Sequence, residues 1–156
     1  MHAHNHLLQV AADAEGIDDG QADYEALAAP PGFVRAVGPF FLHQHCPILA
    51  TRVAETHLNS LRIAHGGFLA TLADSAFGVV LKREMGLAMS PATASLQLDY
   101  ISAAREGEWL QAHVELLKPG RQLINASCAL RVGERLVLRA SGIFMRADHL
   151  QRSTAG

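Results

Sequence analysis

Apolar positions along the chain follow two different periods, and the change comes near Pro91. Before it, Gly66-Gly67 introduces a run to about Met85 that Gly86 closes. Leu69, Leu72, Ala73, Ala76 and Val80 recur there at helical spacing, and Phe68, Phe77 and Val79 widen the apolar face. A helix so apolar on most sides is expected to be buried rather than to lie on a surface. After Pro91, Ala94, Leu96, Leu98 and Tyr100 alternate with Thr93, Ser95, Gln97 and Asp99. The same alternation marks Leu110 to Leu116, Ile124 to Val132 and Leu136 to Met145. Arg105-Glu106-Gly107, Pro119-Gly120 and Gly133-Glu134 separate these strands, a spacing that suits antiparallel neighbours joined by tight connections.

Upstream, Phe40 to His45 and Ile48 to Ala54 read as two strands divided by Cys46-Pro47, and His57 to His65 as a polar loop. Asp18 to Ala29 reads as a short peripheral helix, with Asp18 and Asp19 suiting its N-terminal end and Pro30-Pro31-Gly32 stopping it. The order strand, strand, long helix, four strands is α+β: an antiparallel sheet wrapped on one central helix. There is no internal repeat. Residues 1–35 form an N-terminal extension with the short helix, 36–148 the main domain and 149–156 a tail. The His-rich start, His2, His4 and His6, reads as a solvated end.

Composition narrows the function. At 156 residues the chain holds one domain with a real core, and a net charge of −2 argues against nucleic acid as a partner. Cys46 and Cys128 form neither a metal spacing nor a disulfide framework, which points to a reducing compartment. The stretch from Phe68 to Leu81 is interrupted by Asp74 and Ser75 and falls short of the roughly 20 apolar residues of a membrane span. The start lacks the pattern of a secretory signal, so the expected location is the cytoplasm, with no membrane partner.

Asp74 stands out because an ionised carboxylate within so apolar a helix is costly unless paired or hydrogen-bonded. Its helical neighbours Ala70, Thr71 and Gly78 are small and leave room for a ligand. The alternative is a carboxylate on a narrow solvated stripe, or one held by another side chain. His65-Gly66-Gly67 at the start of the helix offers free amides that favour negative charge, including a carbonyl oxygen under nucleophilic attack. Taken alone it reads as a plain tight turn, with His65 a hydrogen-bonded structural residue. There is no Gly-x-Ser-x-Gly elbow, no phosphate-binding loop and no dinucleotide fingerprint. His43 and His45 share a strand face without a third metal ligand, and no metal site is expected.

The stretch from Asn59 through His65-Gly66-Gly67 to Leu72-Ala73-Asp74 resembles the signature of hotdog-fold acyl-CoA thioesterases. The nearest branch is the phenylacetate-pathway type within the 4-hydroxybenzoyl-CoA thioesterase superfamily. The likeness runs through Thr93, Leu96 to Ile101, Gly107-Glu108 and Lys118-Pro119-Gly120-Arg121, covering about residues 40–146. It implies a sheet curled around a long central helix, homodimers paired into tetramers, and active sites at the dimer interface. It also implies Asp74 as general base or nucleophile, Gly66 and Gly67 amides polarising the thioester carbonyl, and Asn59 positioning the carbonyl or the water. Thr93 matches a position that helps hold that water, His65 belongs to the substrate-binding set, and Lys118 and Arg121 would meet the nucleotide end of CoA. No cofactor is implied, CoA being part of the substrate. One departure is Arg62, where the family often has Gly; a bulky cation there bears on acyl preference.

Helix geometry adds a constraint. At about 1.5 Å per residue, Asp74 lies about 10 Å from Gly67, too far for both to serve one carbonyl, so a composite site shared between subunits is expected. A hotdog domain that binds a thioester without cleaving it, and a hydratase or dehydratase on the same fold, stand as alternatives.

Overall fold

Residues 21–147 are described in the computed structural model. Asp18, Asp19, the His-rich start and the tail after 148 lie outside them. Gln21–Asp23 is a single 3-10 turn, followed by β1 (Tyr24–Ala26), α1 (Phe33–Val37), β2 (Phe41–His43) and β3 (Ile48–Arg52). A second 3-10 turn, Glu55–His57, leads to the long helix α2 (Gly66–Glu84), then β4 (Ala92–Tyr100), β5 (Trp109–Pro119), β6 (Leu123–Val132) and β7 (Arg135–Met145).

The seven strands form one antiparallel sheet in the order β1-β2-β3-β5-β6-β7-β4, curled around α2. This is the expected α+β hotdog architecture. Phe68, Leu69, Leu72, Phe77 and Leu81 of the helix are buried against Leu110, Ile124, Leu130, Leu138 and Phe144 of the sheet. Phe77 and Phe144 meet with ring centroids 4.7 Å apart. The helix ends where expected, with Gly86 at φ 61°, a left-handed position that glycine adopts freely.

Three expectations are corrected. The helix read over Asp18 to Ala29 is, in its described part, a 3-10 turn and then strand β1, because Tyr24, Glu25 and Ala26 pair with His43, Leu42 and Phe41. Tertiary pairing overrides the weak helical tendency of so short a segment. Burial of α2 is one-sided within the chain: Ala70, Thr71, Asp74, Ser75, Gly78 and Val79 stay half-exposed, since the curled sheet reaches only one side. The link between β4 and β5 is not a tight hairpin. β4 pairs with β7 at the far edge, and residues 101–108 return across about three strand spacings, about 14 Å. That return buries Ala104 and takes a hydrogen bond from the Ala64 amide (2.8 Å), so it supports the loop entering α2.

Candidate active site

Asp74 sits on the half-exposed side of α2, and Thr93 Oγ donates to its Oδ1 at 2.6 Å. That distance lies within the ordinary range of O–H···O hydrogen bonds. Strict alternation would have placed Thr93 with Ser95, Gln97 and Asp99, away from the helix. A bulge between Thr93 and Ser95 changes this: Ser95 pairs with Ile143, Thr93 pairs with the buried Phe144, and Ala94 is the extra residue. The bulge thereby gives Thr93 a place on the helix side of the sheet, with Leu96, Leu98 and Tyr100.

Eight residues earlier, the first turn of α2 has two satisfied amides and two open ones. The Gly67 amide donates to His65 Nδ1 at 2.8 Å, and the Leu69 amide to the His65 carbonyl at 3.0 Å. His65 is thus the N-cap, and accepting at Nδ1 puts the proton of its neutral ring on Nε2. The Gly66 and Phe68 amides donate to no group among the described residues. Of the two glycine amides expected to polarise a carbonyl, Gly66 is therefore open, while Gly67 is engaged by the cap.

Asn59 shapes the approach to this turn. Its Oδ1 accepts from the Leu61 amide at 2.9 Å and the Ile63 amide at 3.4 Å, an Asx-type turn that returns the chain toward His65. Arg62, inside that turn, has φ 60°, the one positive value among described residues other than glycine. This gives a physical reason for glycine at the corresponding family position. The Arg62 guanidinium reaches Glu55 at 3.4 Å and Glu106 at 3.6 Å, with all three side chains well exposed.

His57 anchors the same loop from below. Its Nδ1 accepts from the Ala54 amide (2.9 Å), its Nε2 lies 2.7 Å from the Val37 carbonyl, and its ring stacks on Phe68 at 3.7 Å. Burial holds its pKa below the usual imidazole value. A cavity of about 210 Å³ opens beside this stack, walled by Phe33 and Val37 of α1 and by His57, Phe68 and Thr71 next to Gly67. A cavity near 150 Å³ holds a benzene ring, so this one is large enough for a small acyl group.

Lys118 and Arg121 are exposed at the β5–β6 turn. The register Thr93–Phe144–Ile124–Pro119 puts that turn at the Asp74 end of the sheet, about 14 Å from Thr93 across three strand spacings. The structure thus brings Asp74 together with Thr93, and His65 with Gly66 and Gly67, but holds the two groups apart along one helix. His57 and Tyr100 escaped the sequence reading. Tyr100 passed as the last apolar position of a strand and His57 as loop; neither carries a spacing signal.

Among the described residues no helix is long and apolar enough to cross a membrane. A sequence profile of the Thioesterase superfamily matches residues 61–140. A Pseudomonas aeruginosa protein named as an esterase is 40% identical over 111 residues, 69% of this chain and 83% of that protein. Acyl-coenzyme A thioesterase 13 of Mus musculus is 34% identical over 104 residues, 64% of this chain and 73% of the mouse protein. Among solved structures, a mutant of the phenylacetic acid degradation protein PaaI from Thermus thermophilus superposes with a TM-score of 0.64 at 26% identity, covering 73% of this chain and 97% of that one. Signature residues, fold and relatives agree: the chain belongs to the thioesterase superfamily and is a thioester hydrolase.

Proposed function

We propose that the protein hydrolyses an acyl-CoA to free acid and CoA, in a composite site where the helix terminus of one subunit faces Asp74 of its partner. The observation that carries this reading is the Asp74 carboxylate on the open side of α2, held at 2.6 Å by Thr93 yet about 12 Å along the helix from the open Gly66 amide. Neither group can complete the reaction alone. Two antiparallel copies of α2 would bring each helix terminus toward the other's carboxylate. β4 supports such an arrangement, because it is an edge strand with most of its residues exposed.

In this site the carbonyl oxygen rests against the Gly66 amide. Asp74 either takes a proton from the attacking water or attacks the carbonyl carbon itself. Negative charge develops on the carbonyl oxygen, where one donor can contribute about 3–4 kcal/mol. The carbon–sulfur bond then breaks and the thiolate leaves. On the first route it takes the proton that Asp74 removed from the water; on the second a water hydrolyses the acyl–Asp74 anhydride to free acid and supplies the proton. Thr93 orients Asp74 or the water, Asn59 frames the loop, and Lys118 and Arg121 meet the nucleotide phosphates. The named relatives favour CoA as the carrier, and the cavity beside Gly67 suits an aromatic or short acyl group such as phenylacetyl. A homodimer is the assembly this reading requires, and the family resemblance extends it to a dimer of dimers.

The test is free-thiol release from a panel of acyl-CoAs, comparing wild type with Asp74→Asn. A drop of about a hundredfold or more supports the carboxylate role. Absence of turnover with acyl-CoA still bound tightly identifies a binding module instead, and full activity in a monomeric variant excludes the composite site.

A further inference from the structure

Tyr100 closes β4 on the helix side of the sheet, and its hydroxyl donates to the Gly66 carbonyl at 2.7 Å. Its ring also covers the Gly66 backbone: a Cβ on Gly66 would stand 3.3 Å from ring atom Cε1 and 3.4 Å from Cζ. The Gly66–Gly67 peptide is therefore held at both ends, its oxygen by Tyr100 and its N–H by His65 Nδ1 at 2.8 Å. The next amide toward the N-terminus, that of Gly66, is the open one. Glycine has the widest backbone freedom of any residue, so a pair of them at the start of a helix does not aim an N–H by itself. The Gly66 N–H belongs to the preceding peptide, whose His65 carbonyl accepts from the Leu69 amide at 3.0 Å. Clamping the 66–67 peptide limits ψ of Gly66 and steadies that N–H from the other side.

We infer that Tyr100 is a positioning residue for thioester hydrolysis, which holds the Gly66 amide aimed at the carbonyl oxygen by clamping the Gly66–Gly67 peptide from the edge strand. This rests on the reading that the helix terminus polarises the carbonyl. Tyr100 need not touch substrate. It acts through the peptide, and a second effect runs the same way: a hydrogen bond to a carbonyl polarises its own peptide, strengthening the Gly67 N–H and tightening the His65 cap. A Cβ at position 66 would press on this ring at 3.3 Å, so the ring would have to give by a few tenths of an ångström. Tyr100 is 54% exposed in the single chain, so the clamp lies outside the hydrophobic core.

The experiment compares wild type, Asp74→Asn and Tyr100→Phe on the best acyl-CoA substrate, with melting temperature measured in parallel. Tyr100→Phe keeps the ring and removes only the hydroxyl. The expected result is kcat lowered about fivefold to tenfold, KM within about twofold and a melting temperature lowered by no more than about 4 °C, because one neutral hydrogen bond is lost. A second readout is the amide spectrum of ¹⁵N-glycine-labelled protein, where Gly66 and Gly67 should shift or broaden in Tyr100→Phe while Gly133 and Gly142 stay in place. Wild-type kcat in Tyr100→Phe, or a loss confined to KM, overturns the inference while Asp74→Asn remains inactive and the hydrolase reading stands. A wild type inactive on every acyl-CoA overturns both.

Discussion

Arg62 occupies a left-handed backbone position, and replacing it separates two physical terms. At φ 60° a side-chain-bearing residue carries a strain of about 1–3 kcal/mol. Glycine relieves that strain but adds about 0.4–1 kcal/mol of chain freedom in the unfolded state. Arg62 also forms ion pairs with Glu55 and Glu106 at 3.4 and 3.6 Å, and exposed pairs of that length contribute about 0–1 kcal/mol. Arg62→Gly and Arg62→Ala both lose the ion pairs, so their difference isolates the backbone. Arg62→Gly is expected to be the more stable by about 1 kcal/mol, which for a chain of this size is about 2–4 °C in melting temperature. Wild type minus Arg62→Ala gives the ion pairs and should shrink as salt rises, while the Gly–Ala difference should not. Thermal and urea unfolding at two ionic strengths measure both. Arg62→Ala as stable as Arg62→Gly would show that the loop relaxes out of the left-handed conformation, and the strain argument would fail.

Thr93→Val should lower kcat by about tenfold while Thr93→Ser largely restores it, since only the hydroxyl on Asp74 distinguishes them; equal rates for Val and Ser would remove Thr93 from the site. Burial holds both His57 and His113 below the usual imidazole range, with Arg131 adding to the effect at His113. The unfolded chain therefore binds protons that the folded one does not. Stability from these rings is present above about pH 6.5 and is lost as pH falls through their folded values, so urea unfolding should show a less stable protein at pH 5.5 than at 7.5. A Cβ at Gly142 would run into the buried Phe144 ring, so Gly142→Ala should cost about 1–3 kcal/mol; an unchanged urea midpoint would mean that the Phe77–Phe144 pair yields easily. Replacing Lys118 and Arg121 together by Ala should raise KM for acyl-CoA and flatten its salt dependence with kcat nearly unchanged; an unaffected KM would place the phosphates elsewhere.

Alternation carried β5, β6 and β7 because each lies within the sheet with one face on the helix, so burial imposes a period of two on its sequence. The same rule misplaced Thr93, where one extra residue in the bulge shifts the parity. Asp74 and the His-Gly-Gly turn were legible as chemical anomalies: a carboxylate in an apolar helix, and glycines where amides are exposed. Tyr100 was not, because a tyrosine ending an alternating strand looks the same whether its hydroxyl meets water or a backbone carbonyl. The strand at Tyr24 to Ala26 was missed for a related reason, since three residues hold too little pattern to reveal a partner supplied by β2.

What the sequence determined by itself were features whose physical cause is local: the helix from Gly66 to Glu84, its glycine stop, the strand periods, and the signature residues themselves. The tertiary structure decided what depends on distant partners. It sent β4 to the far edge beside β7, committed the Gly67 amide to His65 while leaving that of Gly66 open, and brought Tyr100 onto Gly66 from 34 residues away. Those pairings are set by the curl of the sheet and by one bulge, and neither leaves a period in the chain.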